Sequence, residues 1–165
     1  MRQDRFLTGI VIFIALLVIL AVGLFFLRKG SEQAYGPEDT PEGVIRNYVL
    51  ALQKADYARA YGYLAENTFQ TSPEQYRQSM SNLAQAISDT SIQIETSQAV
   101  TPTEASVSLA IVQNSVGLFS TPARQDQTAY LVHQGGGWKV RSMPYPFWPY
   151  DLPQAPPPAK AVPAP

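Results

Sequence analysis

The chain has no cysteine, so disulfides, thiolate nucleophiles, cysteine-ligated metals and lipoprotein acylation are all excluded. It has one histidine, His133, which excludes a multi-histidine metal site as well. Charge is scarce and balanced: 12 Lys and Arg stand against 13 Asp and Glu. No long-range field would therefore gather nucleic acid or an anionic surface. Neither a cofactor nor a metal is expected, and stability must come from packing alone. The 165 residues leave room for one domain once an apolar start and a proline-rich end are set aside.

The apolar start is continuous. FLTGIVIFIALLVILAVGLFFL, Phe6 to Leu27, carries no charge and would form a helix of about 33 Å at 1.5 Å per residue. That length suits a hydrocarbon core of about 30 Å. Ala21-Val22-Gly23 has the small-x-small form of a signal-peptide cleavage site. The run nevertheless continues through Leu24–Leu27 and stops at Arg28-Lys29, as an uncleaved signal anchor does. Arg2 and Arg5 on one side nearly balance Arg28 and Lys29 on the other. A short N-terminus before a large polar part is most simply inserted with residues 1–5 in the cytoplasm. The expectation is a single-pass protein of the cell membrane, spanning at 6–27, with a linker at 28–37 and an extracytoplasmic domain at 38–150.

Helix signals come first in that domain. Thr40 before Pro41 and Glu42 reads as a cap, and Val44, Ile45, Tyr48, Val49 and Leu52 form one apolar stripe. Asp56 caps a second, shorter helix through Tyr57, Ala60, Tyr61 and Leu64. Ser72-Pro73-Glu74-Gln75 is a capping box for a third, marked by Tyr76, Met80, Leu83, Ala84 and Ile87. Beyond Ser88 the apolar period falls to two at Ile92 and Ile94 and again at Val107, Leu109 and Ile111. A short apolar piece follows at Val116–Phe119. Thr128–His133 and Trp138–Met143 then read as strands joined by a Gly135-Gly136-Gly137 turn. Helices followed by hairpin-linked strands predict an antiparallel α+β domain. Nine of the 14 prolines fall after Met143. Residues 151–165 read as a proline-rich, disordered tail, whose Pro156–Pro158 run could serve as a docking peptide.

Two stretches carry a resemblance. PEGVIRNYVLALQKADYARAYGYLAE, Pro41 to Glu66, resembles the opening helix pair of the NTF2-like superfamily, in particular its small, membrane-anchored bacterial envelope members. GGGWKVRSM, Gly135 to Met143, resembles the closing hairpin of the same group. The resemblance implies a cone: three N-terminal helices against a strongly curved antiparallel sheet, with a pocket at the open end. Relatives of this type host isomerases, dehydratases, ligand binders and assembly modules, and their sheets often pair back to back, so a homo-dimer is one implied assembly.

The candidate site residues follow from that frame. Tyr48, Tyr61 and Trp138 would either pack the core or line a pocket with a few polar handles. His133 is either a strand-end histidine near solvent or a general base. Phe147 and Trp148, set among prolines with Tyr145 and Tyr150, either fold back over the domain or form an exposed patch for a partner. Asp56, Asp89, Glu95, Glu104 and Asp126 are the carboxylates an enzyme of this type would draw on; Asp56 reads better as a helix cap, and Glu95 is out of phase with Ile92 and Ile94. None matches a catalytic position of the family. The expected function is a non-enzymatic module that binds a protein partner or a small apolar ligand; the alternative is a small-molecule isomerase or dehydratase-type enzyme working in the cone.

Overall fold

The structure, a computed structural model, describes residues 3–29, 34–113 and 123–154. The expected apolar piece at Val116–Phe119 lies outside the described residues. The chain divides into two units, the first ending at Ala34 and the second beginning at Tyr35.

In the first unit a single helix, α1, runs Gln3–Lys29. Its side chains are described for residues 9–23, and every one of them is exposed. Phe13, Ile19 and Leu20 expose 63%, 68% and 61% of their surface, so apolar side chains leave the helix on all faces instead of along one stripe. Among the described residues no helix is long and apolar enough to cross a membrane. The stretch 9–23 accounts for only about 22 Å of helix.

The second unit starts with the expected helices. In α2 (Pro41–Gln53), Thr40 accepts the Gly43 amide at 3.1 Å and Pro41 occupies the first turn. Its stripe of Val44, Ile45, Tyr48, Val49 and Leu52 is buried. Ala55 ends the helix in the left-handed region at φ 56°, its amide bonded to the Leu52 carbonyl. α3 (Tyr57–Gly62) is capped by Asp56, which accepts the Arg59 amide at 3.1 Å. α4 (Pro73–Asn82) opens with the reciprocal Ser72–Gln75 capping box.

The third helix, expected to continue to Ile87, is broken. It stops at Asn82 and restarts as α5 (Ala84–Ser88). Ser81 donates back to the Gln78 carbonyl at 2.8 Å, a local bond that competes with the helix ladder just before the break. Leu83 then closes on Met80 three residues back in a tightened turn. Among the described residues the domain therefore has four helices after α1, not three.

Among the described residues four antiparallel strands follow in sequence order: β1 (Thr90–Thr101), β2 (Glu104–Gln113), β3 (Ala123–Gln134) and β4 (Gly137–Ser142). Pairing shifts occur beside Glu95, Val100 and Arg141, and such bulges bend the strands that carry them. The β3–β4 turn places Gly135 at φ 60° and Gly136 at φ 84°, a conformation that only glycine adopts without strain. On the inner face Ile92 pairs with Ile111, Ile94 with Leu109, and Leu131 with Val140. α2 packs across this face, touching β1, β2 and β4.

The outer edge of β4 is covered. The Val140 amide donates to the Tyr63 carbonyl and the Ala65 amide to the Val140 carbonyl, both at 2.8 Å, so the segment after α3 lies parallel along β4. Two straps complete the unit, and each extends it past the limits expected from hydrophobic pattern. At the start, Gly36 exchanges two bonds with buried Asn47, at 2.9 and 2.8 Å. At the end, Ser79 donates to Asp151, and the Gln70 amide reaches the Pro153 carbonyl at 3.2 Å. Polar anchors, invisible to periodicity, together with the packing of Tyr35 and Leu152 on the core, thus bring residues 35–37 and 151–154 into the domain. The Tyr145–Pro146 peptide is cis.

Gly43 shows how close the first strap lies. A Cβ there would come within 2.3 Å of the Pro37 carbonyl oxygen. Gly→Ala inside a helix normally stabilises, but here the strap backbone must move. We expect Gly43→Ala to destabilise by about 1–3 kcal/mol. Gly62→Ala, with open space around its Cβ, should be neutral or gain up to about 1 kcal/mol. Thermal melts of the two variants in the same detergent check the opposite signs.

Candidate functional site

The six nominated side chains fall into two groups. Tyr48, Tyr61, Phe147 and Trp148 are brought together, with Tyr76 and Phe69 between them. Tyr48, on the inward face of α2, is fully buried. It donates its one hydroxyl hydrogen to the Phe147 carbonyl at 2.8 Å. Tyr76 must then be the donor in the 3.1 Å contact between the two hydroxyls. Burial pushes both phenols well above their ordinary pKa, so both stay neutral across the physiological range.

Tyr61 meets Tyr76 edge to face, their ring centres 5.3 Å apart, and its hydroxyl reaches the Thr71 carbonyl at 3.4 Å. Trp148 is 1% exposed and Phe147 0%, and Trp148 leans on Phe69 at 4.8 Å. These two therefore cannot serve as an exposed patch: the proline-rich turn carries them inward, and Tyr48 captures the carbonyl of the peptide that joins them. Tyr145 and Tyr150 are the aromatic residues of that turn that remain exposed. Tyr48 likewise fills the interior where a pocket was one of its two expected settings.

His133 and Trp138 form the second group, opposite each other on the β3–β4 hairpin. Their rings meet edge to face at 5.3 Å and 88°. His133 is exposed and its backbone amide is bonded to the Thr103 carbonyl at 2.8 Å.

The carboxylates are dispersed. Asp56 caps α3. Asp89 accepts the Gln85 amide group at 2.8 Å. Glu95 and Asp126 both face Arg124, and Glu104 lies 3.6 Å from Arg141. None of these five is buried. Among the described residues no cluster of three or more His, Asp and Glu could hold a metal ion.

One charged site went unrecognised in the sequence. Glu38 accepts from Tyr63 at 2.6 Å, Asn47 at 3.3 Å and Arg59 at 3.4 Å. Arg59 also stacks over the Tyr35 ring, 3.5 Å from its centre. The only signal available was Asn47 itself, a polar residue within the apolar stripe of α2.

An open pocket lies elsewhere, beside α3. It has a volume of about 330 Å³ and is lined by Tyr61 and the segment Leu64–Phe69. The segment is held by β4 on one side, by the Gln134 side chain at the Glu66 amide (3.0 Å), and by Thr68 folding back on the Ala65 carbonyl (2.7 Å). Asn67 sits at its apex with φ 58°, a conformation asparagine tolerates better than most residues.

The fold is thus α+β, with helices against one face of a four-stranded antiparallel meander. Solved structures with a similar arrangement include a domain designated a calcium/calmodulin-dependent protein kinase type II association domain, from Thiobacillus denitrificans. It shows 10% identity over 64% of this chain and 93% of that one, with a TM-score of 0.47. A protein designated a scytalone dehydratase, from Novosphingobium aromaticivorans, gives 15% identity, coverages of 61% and 76%, and a TM-score of 0.41. An NTF2-like protein with a cystatin-like fold from the same organism gives 12%, 73% and 82%, and 0.43. No protein-family model and no curated protein matches the sequence. At TM-scores of 0.41 to 0.47 these likenesses lend no activity and no residue role to this chain.

The Glu38 site yields a pH dependence. The Tyr63 hydroxyl, opposed by partial burial and helped by Arg59 and Asn47, holds the carboxyl below the usual carboxylate range. A native pKa below the unfolded one stabilises the fold above the unfolded value, and the contribution fades as pH falls through the native one. Since Glu38 is half exposed (50%), solvent screening limits it to about 1 kcal/mol or less. Glu38→Gln should lower the melting temperature at neutral pH and narrow the gap to wild type on acidification. Melts across that range provide the check.

Proposed function

We propose that this chain is a membrane-anchored, extracytoplasmic interaction module of the NTF2-like type. The observation that carries the non-enzymatic part is the filled interior: where a cone-shaped enzyme would hold substrate, Tyr48, Tyr76, Phe147 and Trp148 pack together, and the two tyrosine hydroxyls are already engaged with each other and with the Phe147 carbonyl. An acid–base enzyme of the isomerase or dehydratase kind needs a shielded carboxylate with a raised pKa. Glu38, Glu42 and Glu74 are instead held below the ordinary carboxylate range.

The anchor is supported by α1. A helix with apolar side chains on every face needs an apolar surrounding, in a core or a bilayer, and the first unit by itself leaves the described side chains of residues 9–23 exposed. The sequence from Phe6 to Leu27 supplies the length. The NTF2-like reading is supported by element order: helices first, α2 across the inner face, then a bulged antiparallel meander closed by the glycine hairpin. For a protein partner, or a second copy back to back, the outer face of the sheet offers small and polar side chains, Gln93, Ser106, Ser108 and Thr128 among them.

Two measurements test the anchor and its orientation. Full-length chain expressed in a bacterial host should pellet with membranes, resist alkaline carbonate and dissolve only in detergent. Protease added to intact spheroplasts should remove the domain from Tyr35 onward. Recovery in the soluble fraction would sink the anchor, and protection of the domain until lysis would reverse its side.

A further inference from the structure

The pocket beside α3 lies where the described chain ends. Gln154, the last described residue, forms an isolated antiparallel bridge with Phe69, a pocket wall, and the Gln70 amide holds the Pro153 carbonyl at 3.2 Å. The bridge fixes direction as well as place. In an antiparallel pair each step forward on one chain is a step backward on the other. A chain continuing in the direction set at Gln154 would meet Thr68, Asn67 and Glu66 in turn, which are residues of the pocket lining.

The chemistry of that continuation decides how it can bind. Pro156, Pro157 and Pro158 have no backbone N–H, so the bridge cannot grow into a β ladder. Three consecutive prolines instead favour the polyproline II conformation, a stiff helix with exposed carbonyl acceptors and apolar rings. Such segments dock on aromatic-lined grooves at low entropic cost. The pocket supplies that setting: Tyr61 and Phe69 are its aromatic walls, and the exposed Asn67 side chain at the apex can donate to a carbonyl. Its volume, about 330 Å³, is at the small end for ligand pockets and suits a short segment.

We propose that the Tyr61–Phe69 pocket is a polyproline-binding site whose resident ligand is the chain's own Ala155–Pro158 segment. Tethering through Gln154 gives the segment a millimolar effective concentration, so weak contacts suffice. A free proline-rich peptide would compete with the tail for the same walls. This reading stands whether or not α1 spans a bilayer.

The test is amide hydrogen exchange on the full chain in detergent, comparing wild type with the triple variant Pro156→Gly, Pro157→Gly, Pro158→Gly. The variant keeps Gln154 and its bridge, so the fold is untouched. The Asn67 and Thr68 amides should exchange about fivefold or more faster in the variant, while the Val107 and Leu109 amides stay unchanged. Equal exchange at Asn67 and Thr68 in the two chains would overturn the proposal. So would protection that rises with protein concentration, which would assign the pocket to the tail of a second copy.

Discussion

A tyrosine hydroxyl in the middle of an apolar core sets the terms for the second unit. Tyr48 has no access to water, and a hydroxyl buried without a partner destabilises by about 1–3 kcal/mol. Its acceptor is the Phe147 carbonyl, supplied by a turn 99 residues away. The bond therefore requires that the chain return across α2 after β4. When it does, Phe147 and Trp148 enter the core beside Met80, Leu131 and Tyr76. The hydroxyl of Tyr76, brought in by α4, completes the chain of donors. One polar atom thus couples the first helix of the domain, its third helix and its closing turn.

Among the described residues an open pocket lies at the perimeter of the sheet. Tyr63 to Ala65 occupy the edge of β4, leaving the loop that follows them free to arch outward at Asn67. The same pinning that protects a sheet edge from stray pairing therefore creates the half-open pocket next to it. At the other end of the sheet β1 remains an edge, and its shifts beside Glu95 and Val100 interrupt the flat ladder that a foreign strand would need. The two edges are managed by different means: one is covered and the other bent.

The sequence is most legible where the cause is local. The Thr40, Asp56 and Ser72 caps, the stripe of α2 and the Gly135-Gly136 turn depend on residues within a few positions of one another, and each has the geometry its neighbours dictate. The phase of Glu95 against Ile92 and Ile94 likewise predicts an outward side chain, and it sits beside Gln93 at Arg124. Tertiary causes leave weaker traces. Whether Phe147 and Trp148 cover the core or face a partner depends on Tyr48, which nothing near them in sequence announces. The break at Leu83 turns on a serine back-bond that periodicity does not register. Glu38 is the clearest loss: its role exists only because Tyr63, Asn47 and Arg59, from two different helical segments, converge on it.

Those polar anchors also explain why domain limits drawn from hydrophobic pattern fall short at both ends. Residues 35–37 and 151–154 carry one large apolar side chain each that packs on the core, Tyr35 and Leu152, too few to form a periodic pattern. Specific bonds hold them as well, at Asn47 for the first strap and at Ser79 and Gln70 for the second. Bonds of this kind have a defined direction, whereas apolar contact does not. The first strap therefore fixes where the chain enters the domain, and the second fixes where it leaves and along which line. Fixed points of entry and exit of this kind set the direction of the described chain at both borders of the core, which apolar packing alone leaves open.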